Sequence, residues 1–259
     1  MRSDAEILKL EVVSAGYGER NVLRGVDMAV REGEFVGIAG PNGSGKSTLL
    51  RVMTGLLEPS EGAVYFRGER MNSLSPKERA RSFGSVFLHR ESLPSFTAEE
   101  YVRQRLFARE ASSAKEQAAA AARALETAGA AGFAAQNIRT LSAGQLQLVS
   151  IAGALAQSES VLFLDEPTSH LDIRHGLETA ALLERLHRGG TTVIAVFHDI
   201  NLALSVCSRI IGIADGKTVC DLSPEDFAAS DAADGLFGVK GARSADPFTG
   251  KPFIHFSRR

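Results

Sequence analysis

Gly40-Pro41-Asn42-Gly43-Ser44-Gly45-Lys46-Ser47 sets small residues, one cation and hydroxyls at a spacing suited to a polyphosphate. Gly40 and Gly45 permit positive φ and let the backbone approach phosphates that a Cβ would obstruct. Lys46 can reach the β- and γ-phosphates, the Ser47 hydroxyl can ligate Mg²⁺, and Thr48 closes the loop onto the next element. Far downstream, Asp165-Glu166 follows the apolar run Val161-Leu162-Phe163-Leu164. A carboxylate pair at the C-terminal end of a buried strand lies where open α/β sheets bind their ligands. Asp165 suits Mg²⁺, directly or through water, and Glu166 suits a general base that polarises an attacking water. These residues predict binding and hydrolysis of a nucleoside triphosphate.

That chemistry needs elements to position it. Phe35-Val36-Gly37-Ile38-Ala39 reads as a buried strand, and Thr48 to Met53 has helical spacing with good helix formers. A strand, a glycine-rich turn and a helix together turn backbone N–H groups toward an anion. Residues 7 to 39 alternate short apolar runs with Gly16, Gly18, Gly25 and Gly33, and Ala63 to Phe66 reads as a further strand. From Thr97 to Ala135 helix formers dominate, and Leu106, Phe107 and Leu125 argue for packed helices there. The α/β pattern resumes with a helix over His175 to Arg188 and strands at Thr192 to Phe197 and Ile210 to Ile213, ending at the turn Asp215-Gly216. A helical insertion within a parallel α/β core accounts for this order.

Composition narrows the class. The chain has 259 residues and a net charge of −2, with no basic footprint for nucleic acid. Met1-Arg2-Ser3-Asp4-Ala5-Glu6 carries acidic residues where a signal peptide needs a basic start, and no apolar stretch approaches the ~20 residues that span a bilayer. Cys207 and Cys220 are too few for a disulfide framework or a metal cluster, and both read as small buried residues of a reducing compartment.

Leu141-Ser142-Ala143-Gly144-Gln145 resembles the signature Leu-Ser-Gly-Gly-Gln of ABC-type ATPases, with alanine in place of the first glycine. Other elements of that family stand around it in order. Tyr17 matches the aromatic residue that stacks on adenine, Ser169-His170-Leu171-Asp172 matches the D-loop, and His198 matches the switch histidine. The resemblance implies a phosphate-loop NTPase core with an antiparallel β-subdomain and an inserted α-helical subdomain. Its implied layout is a single domain, with a nucleotide-binding core over 1–88 and 157–235, a helical subdomain over 89–156 and a tail over 236–259.

It also implies a homodimer. Ser142, Gly144 and Gln145 begin a helix whose positive end would close on the γ-phosphate held by the other copy. Asp172 would join that contact, while His198 would touch the γ-phosphate and orient Glu166 and the water. Phe197-His198-Asp199-Ile200-Asn201-Leu202-Ala203, Leu236-Phe237-Gly238-Val239 and Asp246-Pro247-Phe248-Thr249-Gly250-Lys251-Pro252 resemble the group that drives import of iron-siderophores, haem and cobalamin. Implied partners are two membrane-spanning permease subunits, with an extracytoplasmic substrate-binding protein acting indirectly, ATP and Mg²⁺ as cofactors, and a peripheral place on the cytoplasmic face of the inner membrane. The segment Phe87 to Tyr101, with Leu93-Pro94-Ser95-Phe96-Thr97, would form the groove for a permease coupling helix.

Some positions depart from the family pattern. Leu88, with His89 beside it, stands where a glutamine normally ligates Mg²⁺ and touches the permease. Leu146, Leu148 and Gly153 replace residues that are usually basic or polar. These changes keep two alternatives open: an ABC ATPase without a permease, such as one serving iron–sulfur assembly, and a nucleotide-binding subunit of low turnover.

Overall fold

Alternating burial shapes the first sheet in the computed structural model, which describes residues 5–87, 94–108, 113–158 and 160–257. Strand β1 (Glu6–Tyr17) pairs antiparallel with β2 (Arg20–Arg31), from Glu6 opposite Arg31 to Tyr17 opposite Arg20. Leu8, Leu10, Val13 and Ala15 from β1 and Leu23, Val26, Met28 and Val30 from β2 are buried, while Lys9, Val12, Arg24 and Asp27 face water. Strand β4 (Glu61–Phe66) pairs with the other edge of β1, and the short β5 (Glu69–Arg70) completes the order β2-β1-β4-β5. This is the antiparallel sheet expected from the sequence.

These strands belong to one of two units, made of Met1–Ser73 and Thr192–Arg259. The same unit holds β3 (Phe35–Ala39), flanked in parallel by β8 (Thr192–Val196) and β9 (Arg209–Ala214). All five residues of β3 and of β8 are buried, as a parallel strand covered on both faces requires. Strand β10 (Lys217–Leu222) adds antiparallel to β9. Arg209 ties four strands and turns together: its guanidinium forks onto Asp221 at 2.5 and 2.6 Å and reaches Glu34 at 3.0 Å and the Ala29 carbonyl at 2.9 Å. Helix α1 (Lys46–Met53) buries Leu49, Leu50, Val52 and Met53.

The C-terminal part of this unit is more ordered than a proline- and glycine-punctuated tail suggests. Helices α7 (Ile200–Val206), α8 (Pro224–Ala229) and α9 (Ala232–Phe237) lead into a hairpin of β11 (Lys240–Ala245) and β12 (Pro252–Ser257). Gly238, with φ of 66°, ends α9 in the left-handed region, which a glycine adopts at no steric cost.

The second unit, Leu74–Thr191, is mainly helical. It contains α2 (Pro76–Ser82), α3 (Ala98–Gln104), α4 (Ala114–Thr127), α5 (Ala143–Gln157) and α6 (Ile173–Arg188). Parallel strands β6 (Gly84–Val86) and β7 (Val161–Leu164) lie within it, with the Phe83 and Phe163 rings edge-on at 5.0 Å. Helix α5 is buried on nearly every side, so it reads as an apolar run without a polar face. Reciprocal caps start four helices, pairing Ser75 with Glu78, Thr97 with Glu100, Ser113 with Glu116 and Ser142 with Gln145.

Two expectations need correction. Leu106 and Leu125 are core residues, but Phe107 is exposed, because the 3₁₀ turn Arg105–Ala108 points consecutive side chains in different directions. Cys207 is buried and desolvation pushes its thiol pKa well up, whereas Cys220 is only half-buried on the alternating strand β10. No described helix is long and apolar enough to cross a membrane.

Candidate functional site

The phosphate loop leaves the carboxyl end of β3 in a shape that only glycine supports. Gly40 is buried with φ of 154°, and a Cβ there would lie 2.1 Å from the Ile213 carbonyl oxygen. Gly45, with φ of 108°, precedes α1, and its Cβ would meet Leu23 Cδ2 at 2.9 Å. Between them Pro41, Asn42 and Gly43 face solvent. The Lys46 side chain folds back, and Nζ donates to the carbonyls of Gly40 at 2.8 Å and Pro41 at 2.9 Å. Those bonds hold the loop open around its own ammonium.

Three observations fit this loop to an anion. No side-chain hydrogen bond caps the N-terminus of α1, and the positive end of that helix opens directly from the loop. Ser44 Oγ is buried and has no hydrogen-bond partner among the described residues. Ser47 is half-buried and Thr48 buried, which puts one hydroxyl at the rim and one beneath it.

Two further expected residues share this unit. Tyr17, at the end of β1, is 46% exposed and accepts a hydrogen bond on its hydroxyl from Arg51 Nη1 of α1 at 2.9 Å. That bond orients the ring beside the helix that the phosphate loop opens. His198 is exposed just beyond β8. Ile38 pairs with Val196 in parallel register, so Gly40 and His198 leave neighbouring strands at the same level and the same edge.

In the second unit, Asp165 and Glu166 leave β7 half-buried, and the Asp165 N–H donates to the Val86 carbonyl at 3.0 Å, extending the parallel ladder. Glu166 has φ of 52° and His170 φ of 61°, both in the left-handed region. Non-glycine residues hold that region at a cost of roughly 1 kcal/mol or more, and such outliers cluster at functional loops. The loop ends at Asp172, the N-cap of α6, whose carboxylate accepts the His175 N–H at 2.8 Å. The His175 backbone and ring hydrogen bonds hold the Asp172 pKa below the usual carboxylate value.

Ser142 is the exposed N-cap of α5, and its hydroxyl accepts the Gln145 N–H at 3.3 Å while Gln145 Oε1 accepts the Ser142 N–H at 2.9 Å. Gly144 is buried against His175: a Cβ on it would lie 2.5 Å from the ring carbons. Sequence reasoning passed over His175, although its place three residues after a capping aspartate was a visible signal. The structure also explains two departures. Leu146 is 1% exposed, so an apolar residue suits it. Gly153 leaves room for Arg105, whose Cγ would lie 3.2 Å from a Cβ there and whose guanidinium stacks 5.4 Å from the Tyr101 ring centre. Leu88 and His89 lie outside the described residues, as do 90–93 of the segment Phe87 to Tyr101. Within its described part, Ser95 Oγ accepts from Asn137 Nδ2 at 3.0 Å.

A glycine-built anion loop after a buried parallel strand, opening an uncapped helix, defines a phosphate-loop nucleotide-binding protein. The ABC transporter family model matches residues 23–169, and the chain belongs to that family. It is an ATP-binding cassette, an ATPase of the ABC type. It is 35% identical over 254 residues to the ferric enterobactin transport ATP-binding protein FepC of Escherichia coli K12, covering 95% of this chain and 93% of that protein. The hemin import ATP-binding protein HmuV of Rhodopseudomonas palustris HaA2 is 38% identical over 255 residues, with 95% and 96% covered. Among solved structures, the dimeric ADP- and Pi-bound cassette MJ0796 superposes with a TM-score of 0.76 at 37% identity, covering 84% of this chain and 98% of that one.

Proposed function

We propose that this chain is the ATP-hydrolysing subunit of an importer for a metal chelate of the iron-siderophore, haem or cobalamin type. The observation that carries the reading is similarity over 95% of this chain to ATP-binding proteins named for ferric enterobactin, hemin and cobalamin. Two copies sandwich ATP beneath two permease subunits at the cytoplasmic face of the inner membrane, and an extracytoplasmic binding protein delivers cargo from the other side.

Each residue then has a task. The loop Gly40 to Thr48 wraps the phosphates, and Lys46 transfers its donors from the Gly40 and Pro41 carbonyls to phosphate oxygens. Tyr17 stacks on adenine, with Arg51 orienting the ring. Ser47 and Asp165 would hold Mg²⁺, which would neutralise phosphate charge. Glu166 takes a proton from the attacking water, and His198 orients that water against the γ-phosphate. Ser142, Gly144, Gln145 and Asp172 serve the nucleotide of the partner copy, with the N-terminus of α5 supplying positive potential.

ATP hydrolysis by the purified chain tests the assignment. Glu166→Gln should abolish turnover while nucleotide binding persists, and Lys46→Ala should weaken binding. A Glu166→Gln protein that turns over at the wild-type rate removes Glu166 as the base.

A further inference from the structure

His175 joins two site segments that the sequence separates by almost thirty residues. Its ring lies against Gly144, where a Cβ would approach Cγ and Cδ2 to 2.5 Å and Cβ to 2.8 Å. On its other side Nδ1 is 2.8 and 2.9 Å from the two oxygens of Asp172. Its backbone N–H caps the same carboxylate at 2.8 Å. A ring nitrogen facing both oxygens of a carboxylate carries its proton there, so Nδ1 is the donor. The contact with Gly144 is van der Waals and close, and interiors transmit rather than absorb such displacements. The loop that Asp172 ends holds Glu166 and His170 at positive φ, a shape that persists only when its surroundings over-determine it.

From this geometry we infer that His175 is a positioning residue, locking the Ser142 to Gln145 turn and the 166–172 loop into one piece. The inference rests on the function proposed above, because its consequence is that the serine turn and Asp172 meet the partner copy's nucleotide in fixed register. His175 acts through Gly144 and Asp172. An asparagine at 175 places an amide nitrogen where Nδ1 stands, whereas a glutamine carries its amide one carbon further out.

The test uses the purified full chain with His175→Ala, His175→Asn and His175→Gln. Misplacing a site segment by 1 Å costs up to about 100-fold in rate, so His175→Ala should lower kcat at least ~10-fold with KM for ATP changed less than ~3-fold. His175→Asn should recover most of that loss and His175→Gln little of it. Because Asp172 also serves the nucleotide, the His175→Ala, Asp172→Ala double variant should lose less than the product of the two single losses. Hydrogen exchange gives a readout independent of turnover. In His175→Ala the amides of 142–146 and 166–172 should exchange faster together, and in His175→Asn both should return to wild-type rates. Wild-type kcat in His175→Ala, equal recovery by asparagine and glutamine, or loosening of one segment alone overturns the proposal. A wild-type chain without turnover but with the paired exchange response contradicts the proposed function and leaves the positioning role standing.

Discussion

The Asn201 side chain holds the backbone of Ile254 in both directions. Its Nδ2 donates to the Ile254 carbonyl at 3.0 Å, and its Oδ1 accepts the Ile254 N–H at 2.8 Å. This amide acts as one residue of an extra strand, fastening the C-terminal hairpin to α7, the helix that starts just after His198 and Asp199. Lys251 adds a hydrogen bond from Nζ to the Ser205 carbonyl on the same helix. The tail is therefore a brace on the segment carrying His198.

Asn201→Ala leaves a donor and an acceptor of the buried Ile254 without partners, which costs about 1–3 kcal/mol. We expect a Tm lower by several degrees and faster proteolysis within 240–257. Wild-type melting together with wild-type protease resistance would show that the hairpin is held elsewhere.

Ser44→Ala should act with opposite signs on the free and the nucleotide-bound protein. Removing a buried hydroxyl that lacks a partner costs the free protein nothing and can stabilise it. Losing that donor to a phosphate oxygen should weaken ATP binding about 10-fold, a charge-assisted bond contributing about 1.5–3 kcal/mol. Melting with and without ATP reads both: the free Tm should hold or rise while the ATP-induced shift shrinks. A free Tm that falls with an unchanged ATP shift would mean that Ser44 is structural.

Tyr17→Phe keeps the ring and loses only the bond from Arg51. Tyr17→Ala loses the stacking face, and base–aromatic stacking contributes about 1–3 kcal/mol. Titration with ATP should give nearly wild-type affinity for phenylalanine and about 10-fold weaker binding for alanine. Equal affinities in both variants would remove Tyr17 from the adenine site.

Acid should weaken the helix caps. Hydrogen bonds from the cap residues hold Glu78, Glu100 and Glu116 below their usual pKa, and those from His175 do the same for Asp172. A folded-state pKa below the unfolded one gives stability that is present above the unfolded value, near ~4, and lost as pH falls through the folded value. The Tm should therefore hold above about pH 5 and fall below about pH 4. Combining Glu78→Gln, Glu100→Gln and Glu116→Gln keeps neutral caps and should flatten that acid limb. An unchanged limb would assign acid sensitivity to other groups.

The sequence makes the phosphate-binding half of this molecule easy to read. β3 and β7 are unbroken apolar runs and β8 is one after its first residue, Thr192, as strands buried on both faces read. The loop after β3 is legible because its glycines answer steric demands that are local to the chain. The hairpin is not, since Lys240-Gly241-Ala242-Arg243-Ser244-Ala245 lacks alternation. Its order comes from pairing with β12 and from the Arg243 fork onto Asp231, Asp234 and the Ser230 carbonyl. The contact between His175 and Gly144 is not legible either, because it exists only once α5 and α6 pack.

The most direct measurement is affinity purification of tagged Glu166→Gln protein from detergent-solubilised native membranes with ATP, followed by mass spectrometry. The account predicts two copies of this chain with two copies of a polytopic membrane protein, retained with ATP and lost with Lys46→Ala. Recovery from the soluble fraction alone, with soluble partners or none, would contradict it.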